Sequence, residues 1–286
     1  MMTLEGPGLV ERKIRRLDEK VMIKKKRTRR RIRVLKRPLQ AVASVTLQRL
    51  YDTCLGVFKG IGTVPTPLNV KKLSHILDCM KPEDVGLRED LDFFKTKTNS
   101  VQGNTRVTYA TIHRCQNFSL CIFFLPASAV IPLHNHPEMT VFSKLLMGTM
   151  AIKAYDWVHP FNGYSSTASS SKMRRLAKLK ADTTFTAPCD TCVLYPTSGG
   201  NIHEFRAITP CAVLDVIGPP YSHDHGRDCS YYKDTPFSVL SDGEEFFTEV
   251  KNEGRGYGWL EEIEIPQESE MDVIEYMGPE INIPDS

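Results

Sequence analysis

His134 and His136 stand one residue apart in Ile131-Pro-Leu-His-Asn-His-Pro-Glu-Met139. On a β-strand, residues i and i+2 point to the same face, so two imidazoles at this spacing can grip one metal ion. A β-type run follows and ends in Gly148 at an expected turn. Further on, Cys192-Val-Leu-Tyr-Pro196 reads as a short strand closing on proline, followed by Gly199-Gly200-Asn201-Ile202-His203. Two histidines around one residue also occur by chance on a surface, so the pair alone leaves an incidental role open.

Together the two stretches resemble the paired signatures of the cupin superfamily, small β-barrels with a metal inside. The usual first signature adds a Glu between the histidine pair and the glycine. Here that place falls on Val141, and Glu138 comes too early, directly after Pro137. The second signature, Pro…Gly-x-x-His, supplies the last ligand from a facing strand. The resemblance thus implies a metal site of His134, His136 and His203 with no carboxylate. Neutral imidazoles suit iron, and a facial set leaves positions open for substrate and O2. Without a carboxylate to cancel charge, a 2+ ion favours a thiolate, which must lose its proton to ligate.

The elements that must carry these residues read as mainly β. Residues 41–62 have helical apolar spacing through Val45, Leu50 and Val57. Thr66-Pro67 supplies an N-cap and first-turn proline for a second helix, which ends near Met80. Strand signals then run through 107–112, 118–125, the His134 region, 149–157, 183–187, 192–195, 203–208 and 212–217. Many short strands separated by turns argue for an antiparallel sandwich or barrel. The expected fold is a cupin double-stranded β-helix, a jelly-roll barrel at about 105–240 behind a short helical N-terminal segment at about 41–80. Ser165–Ser171 with Lys172–Lys180 reads as a charged loop inserted between strands.

An apolar share of 41% suffices for a packed core. The net charge of +3 hides an asymmetry. Residues 1–40 hold 15 Lys and Arg against 4 Asp and Glu, and residues 241–286 hold 2 against 14. The run Lys24–Arg33 is expected to be a disordered basic extension acting in nuclear import. It lacks the interleaved aromatics of a base-stacking surface, so no direct nucleic-acid contact is expected. Residues 41–286 form the remaining domain, ending in the acidic segment 241–286. Its Gly254-Arg-Gly-Tyr-Gly-Trp-Leu260 is expected to pack on the barrel as an edge strand. Eight cysteines with no paired C-x-x-C framework read as reduced thiols in an intracellular protein. No apolar run reaches the ~18 residues of a membrane span. A monomer in nucleus and cytoplasm is the expectation.

Pro132-Leu-His-Asn-His-Pro-Glu-Met-Thr-Val-Phe-Ser-Lys144, Tyr155-Asp-Trp157, Leu214-Asp-Val-Ile-Gly-Pro-Pro-Tyr221 and Arg255-Gly-Tyr-Gly-Trp259 resemble the plant cysteine oxidases. These are relatives of cysteamine dioxygenase among the thiol-dioxygenase cupins. The resemblance runs from about residue 65 to 266. It implies an enzyme that uses ferrous iron, Fe(2+), and O2 to oxidise the N-terminal cysteine of a protein to its sulfinic acid. In plants such substrates are ethylene-response transcription factors, whose oxidised cysteine marks them for arginylation and degradation. By the same resemblance, Asp215 hydrogen-bonds the substrate amine or a metal-bound group, and Tyr221 positions. On residue chemistry, Asp215 could instead anchor a histidine N–H. Cys229 and Tyr231 share the spacing of the thioether cross-link in cysteamine dioxygenase, but no cross-link is expected here. Three other classes fit the histidines: a metal-binding cupin without catalysis, a zinc hydrolase, and a dioxygenase of small thiols.

Overall fold

A computed structural model of the chain describes residues 44–88, 90, 91, 93, 106–158, 174–237 and 256–283. The basic extension 1–40, the serine stretch 165–171 and the first part of the acidic segment, 241–255, lie outside the described residues.

Ser44 and Thr66 start the two helices, their hydroxyls accepting from Leu47 N at 3.1 Å and Asn69 N at 3.3 Å. Helix α1 (Val45–Val57) ends well short of residue 62: Phe58 is already extended, and Gly60 and Gly62 follow at positive φ, which keeps the helix from resuming. Helix α2 (Pro67–Cys79) begins at the expected proline and stops before Lys81-Pro82. Both bury Leu47, Leu50, Leu73 and Leu77 against one sheet face.

Twelve strands follow among the described residues. The first four are β1 (Thr108–Arg114), β2 (Ser119–Leu125), β3 (Val130–Asn135) and β4 (Thr140–Met147). β5 (Thr149–Trp157), β6 (Arg174–Thr186), β7 (Cys192–Leu194) and β8 (Ile202–Ala207) come next. β9 (Cys211–Gly218), β10 (Tyr231–Pro236), β11 (Tyr257–Ile263) and β12 (Asp272–Ile274) complete the order. One sheet runs β12-β1-β2-β9-β4-β7, and β10-β11-β6-β5-β8-β3 closes into a barrel. The mainly β jelly-roll expectation is met.

Strand β9 shows why the two layers hold. All eight of its residues are buried. Ala212, Leu214 and Val216 pack under the helices. Cys211 and Val213 face the other way, onto Ile131, Met150, Ile152 and Phe205 of the barrel. With Leu214 fully buried, truncation to Ala there would cost about 2–5 kcal/mol. Asp215 falls on the barrel-facing side, a polar residue among apolar ones. The turn between β4 and β5 needs Gly148: its φ is +91°, and a Cβ would lie 2.3 Å from Pro210 O.

Two expectations give way. The Lys-rich stretch 172–180 is no loop from Arg174 onward, because it opens β6, a strand 13 residues long. β6 pairs with β5 and β11, and its charges sit on an exposed face: Arg174 bonds Glu261, and the Arg175 guanidinium lies 4.1 Å over the Trp157 ring. A strand with one wet face tolerates that composition. β11, expected as an edge, pairs on both sides, with β10 and β6. The acidic segment therefore supplies an internal strand of the barrel, and β12 is the edge strand it adds to the other sheet.

Candidate metal centre

Strand register brings the histidines together. His134 on β3 is the direct cross-strand partner of His203 on β8, and His136 follows immediately after β3. The ring centroids lie 4.9, 4.7 and 5.0 Å apart for the pairs His134–His136, His134–His203 and His136–His203. One nitrogen of each lies within 4.8 Å of the others, and all three side chains are buried.

The outer nitrogens are held by the protein. His134 Nδ1 donates to Pro132 O at 2.8 Å. The Tyr221 hydroxyl donates to Asn135 O at 2.8 Å, so its oxygen is free to accept from His136 Nδ1 at 2.9 Å. His203 makes a backbone hydrogen bond at Gly200. This network assigns the tautomers and leaves His136 Nε2 buried with no partner among the described residues. Burial lowers the pKa of all three imidazoles, and neighbouring histidines lower those of His136 and His203 further. They are therefore neutral, the form that ligates. A buried, orphaned imidazole nitrogen beside two others fits a divalent transition metal.

The backbone carrying these rings is fixed by two side chains that sequence reasoning gave no role. Asp156 on β5 accepts the N–H groups of Gly199, Gly200 and Asn201 at 2.9, 2.8 and 3.1 Å. Asn201 accepts from His136 N at 3.1 Å and donates to His136 O and Tyr195 O, both at 2.8 Å. One carboxylate and one amide thus tie the His203 strand to the His136 turn. Gly200 is required here: its φ is +86°, and a Cβ would sit 2.7 Å from Ala154 Cβ. The signal for Asp156 was its place in Tyr155-Asp-Trp157, and for Asn201 its place two residues before His203.

Asp215 pairs in register with Cys121 on one side and Ser143 on the other. The Ser143 hydroxyl hydrogen-bonds it, yet Oδ1 is buried without a partner among the described residues. Burial pushes its carboxyl up to about 7, against the Ser143 bond. The histidine-anchoring role open to Asp215 belongs instead to Tyr221. Burial also drives the Tyr221 phenol well above its usual value, with Cys229 adding to the rise, so it remains a donor. Cys229 lies beside Tyr221 and Tyr231, and burial pushes its thiol up against the influence of both phenols. Asn135 points away from the metal side, its amide oxygen accepting from Ser230 N at 2.8 Å and its amide nitrogen donating to the Tyr232 hydroxyl at 3.3 Å. All eight cysteines are free, and no helix among the described residues is long and apolar enough to cross a membrane.

The sequence profile of the PCO_ADO family matches residues 76–281, which include every residue of this centre. The chain belongs to the PCO_ADO family. Plant cysteine oxidase 2 of Arabidopsis thaliana is 51% identical over 240 residues, covering 82% of this chain and 83% of the relative. Plant cysteine oxidase 1 of the same plant is 46% identical over 249 residues, covering 85% and 82%. Human 2-aminoethanethiol dioxygenase is 31% identical over 182 residues, covering 58% and 66%. The basic segment 1–40 lies outside the PCO_ADO match.

Proposed function

We propose that this PCO_ADO chain holds ferrous iron on His134, His136 and His203 and oxidises the N-terminal cysteine of a protein substrate to the sulfinic acid. The chain is a cysteine-oxidising dioxygenase of the thiol-dioxygenase family. What carries the reading of the site is its donor set: three buried neutral imidazoles and no carboxylate ligand, with Asp215 keeping one carboxyl oxygen, Oδ1, unpartnered among the described residues.

When bound, iron supplies open positions for the substrate thiolate, its α-amine and O2. The chain's residues do the rest. The three histidines contribute no charge, which favours an anionic sulfur. Asp215, with a carboxyl near 7, accepts a hydrogen bond from the substrate amine when ionised. Tyr221 holds the His136 ring in its ligating tautomer. The net reaction, R–SH + O2 → R–SO2H, moves four electrons from sulfur to oxygen and needs no outside reductant.

The substrate class is a protein whose chain begins with Cys, such as the ethylene-response transcription factors that the resemblance implies. Oxidation would mark them for arginylation and degradation, so the enzyme would report oxygen supply. The Lys24–Arg33 run supports residence in both nucleus and cytoplasm. Deleting residues 1–40 should move the protein out of the nucleus and leave its rate on peptide unchanged.

The deciding test is mass spectrometry of a peptide beginning with Cys, incubated with the iron-loaded protein in air and under nitrogen. Gain of two oxygen atoms in air only is expected. No gain with iron bound would leave a binding cupin. Activity with zinc and without oxygen would make it a hydrolase. The similarity to 2-aminoethanethiol dioxygenase favours a second reading, a small-thiol dioxygenase. Turnover of cysteamine comparable with that of the peptide would support it.

A further inference from the structure

A cavity of about 500 Å³ lies between the β1–β2 turn and the segment Tyr221–Cys229. Tyr221 lines it and also bonds His136, so the cavity adjoins the metal centre. Arg227 lines it too, although the residue is only 2% exposed. Its Nε donates to Pro220 O at 3.3 Å, and reciprocal backbone bonds to Ser222 fix its place. Its Nη1 is buried with no hydrogen-bond partner among the described residues. A buried guanidinium N–H without an acceptor is costly, and the mechanism above makes no use of it.

The other walls say what kind of acceptor would suit. Arg114 and Arg227 are balanced by Asp224 and Asp228, with His223 already on Asp228 at 2.8 Å. A lining of balanced charge does not favour a strong anion. It suits a neutral chain of amides, whose carbonyls accept from arginine and whose N–H groups meet carboxylates.

We propose that this cavity is the subsite for the polypeptide backbone that follows the substrate's N-terminal cysteine, a main-chain carbonyl of that segment supplying the acceptor that the Arg227 guanidinium lacks. The proposal rests on the N-terminal-cysteine reading and adds where the rest of the substrate lies. Because the contact is distant from the reacting sulfur, it binds ground state and transition state alike and lowers KM without changing kcat.

The test compares a Cys-Gly dipeptide amide with a longer peptide beginning Cys-Gly, on wild type, Arg227→Gln and Gln116→Trp. Gln116 is exposed at the cavity wall, so tryptophan there fills the space without touching the core. Wild type should show a lower KM for the longer peptide. In both variants that KM should rise about tenfold, the scale of one hydrogen bond to a charged group, with kcat, metal content and dipeptide kinetics unchanged. Equal KM values for the two substrates in wild type would overturn the subsite. So would variants that keep the wild-type KM, or that lose both substrates alike. Should the wild-type enzyme oxidise neither, the functional reading falls, and the subsite is judged by binding alone. A fluorescent longer peptide beginning with Ser should bind wild type about tenfold more tightly than Gln116→Trp, again one such bond. Equal binding would overturn it.

Discussion

The Tyr221 hydroxyl lies 2.9 Å from His136 Nδ1 and donates to Asn135 O at 2.8 Å. One phenol therefore orients a metal-facing imidazole and braces the backbone between the two ligands of the His134-Asn-His136 turn. Tyr221→Phe removes that acceptor while keeping the ring. Metal affinity should fall about 10–100-fold, the usual effect of losing a partner behind a ligating histidine. Competition against a calibrated chelator measures it, and undiminished affinity would show that Tyr221 does not hold His136.

His203 faces His134 across the β3–β8 ladder and stacks on Phe205 at 4.5 Å. His203→Ala should abolish metal loading, because two imidazoles remain where three converged. The strand pairing is made by backbone groups, so the far-ultraviolet circular dichroism should keep its β signature. Metal analysis of the purified variant reads the first claim. Global unfolding would contradict the second.

Asp156 holds three consecutive N–H groups just before His203. Asp156→Ala leaves buried donors unpaired at Gly200 and Asn201, each costing about 1–3 kcal/mol. Urea unfolding of the metal-free protein should show a loss of about 2–6 kcal/mol for the two donors together, accompanied by weaker metal binding. A stable variant with normal metal binding would mean that the Gly199–Asn201 turn holds itself.

The metal-facing residues were legible in sequence because their geometry is local. His134 and His136 share a strand end, and His203 follows a glycine pair whose second member needs positive φ. The helix starts were legible for the same reason, through Ser/Thr caps and Pro67. What was not legible depends on distant pairing. Asp156 acts on residues at least 43 positions away and Asn201 ties His136, 65 positions away, and nothing in their neighbours marks the partner. β6 looked like a loop because its Lys and Arg face water, and only its pairing with β5 and β11 makes it a strand. β11 looked like an edge because its partner β10 reads weakly, as Tyr-Tyr-Lys-Asp-Thr-Pro.

Asp215 carries the pH prediction. Its carboxyl is raised from 3.8 to about 7 by burial, so the folded chain binds this proton more tightly than the unfolded one. Its contribution to stability is whole below the unfolded value and is lost as pH rises toward about 7. The three histidines act in the opposite direction. Their lowered values mean that stability is lost as pH falls below the ordinary 6.5. A single melting curve of the metal-free protein therefore mixes two trends. Asp215→Asn separates them, because the amide has the same outline, does not titrate, and leaves the histidine contribution common to both proteins. The stability gap between variant and wild type should shift in the variant's favour by about 2–3 kcal/mol from roughly pH 5 to pH 8. Denaturant unfolding of both metal-free proteins at the two pH values measures it. A gap that stays constant would mean that Asp215 is ionised throughout, which would place a positive partner or water beside Oδ1 and leave it a permanent acceptor for the substrate amine.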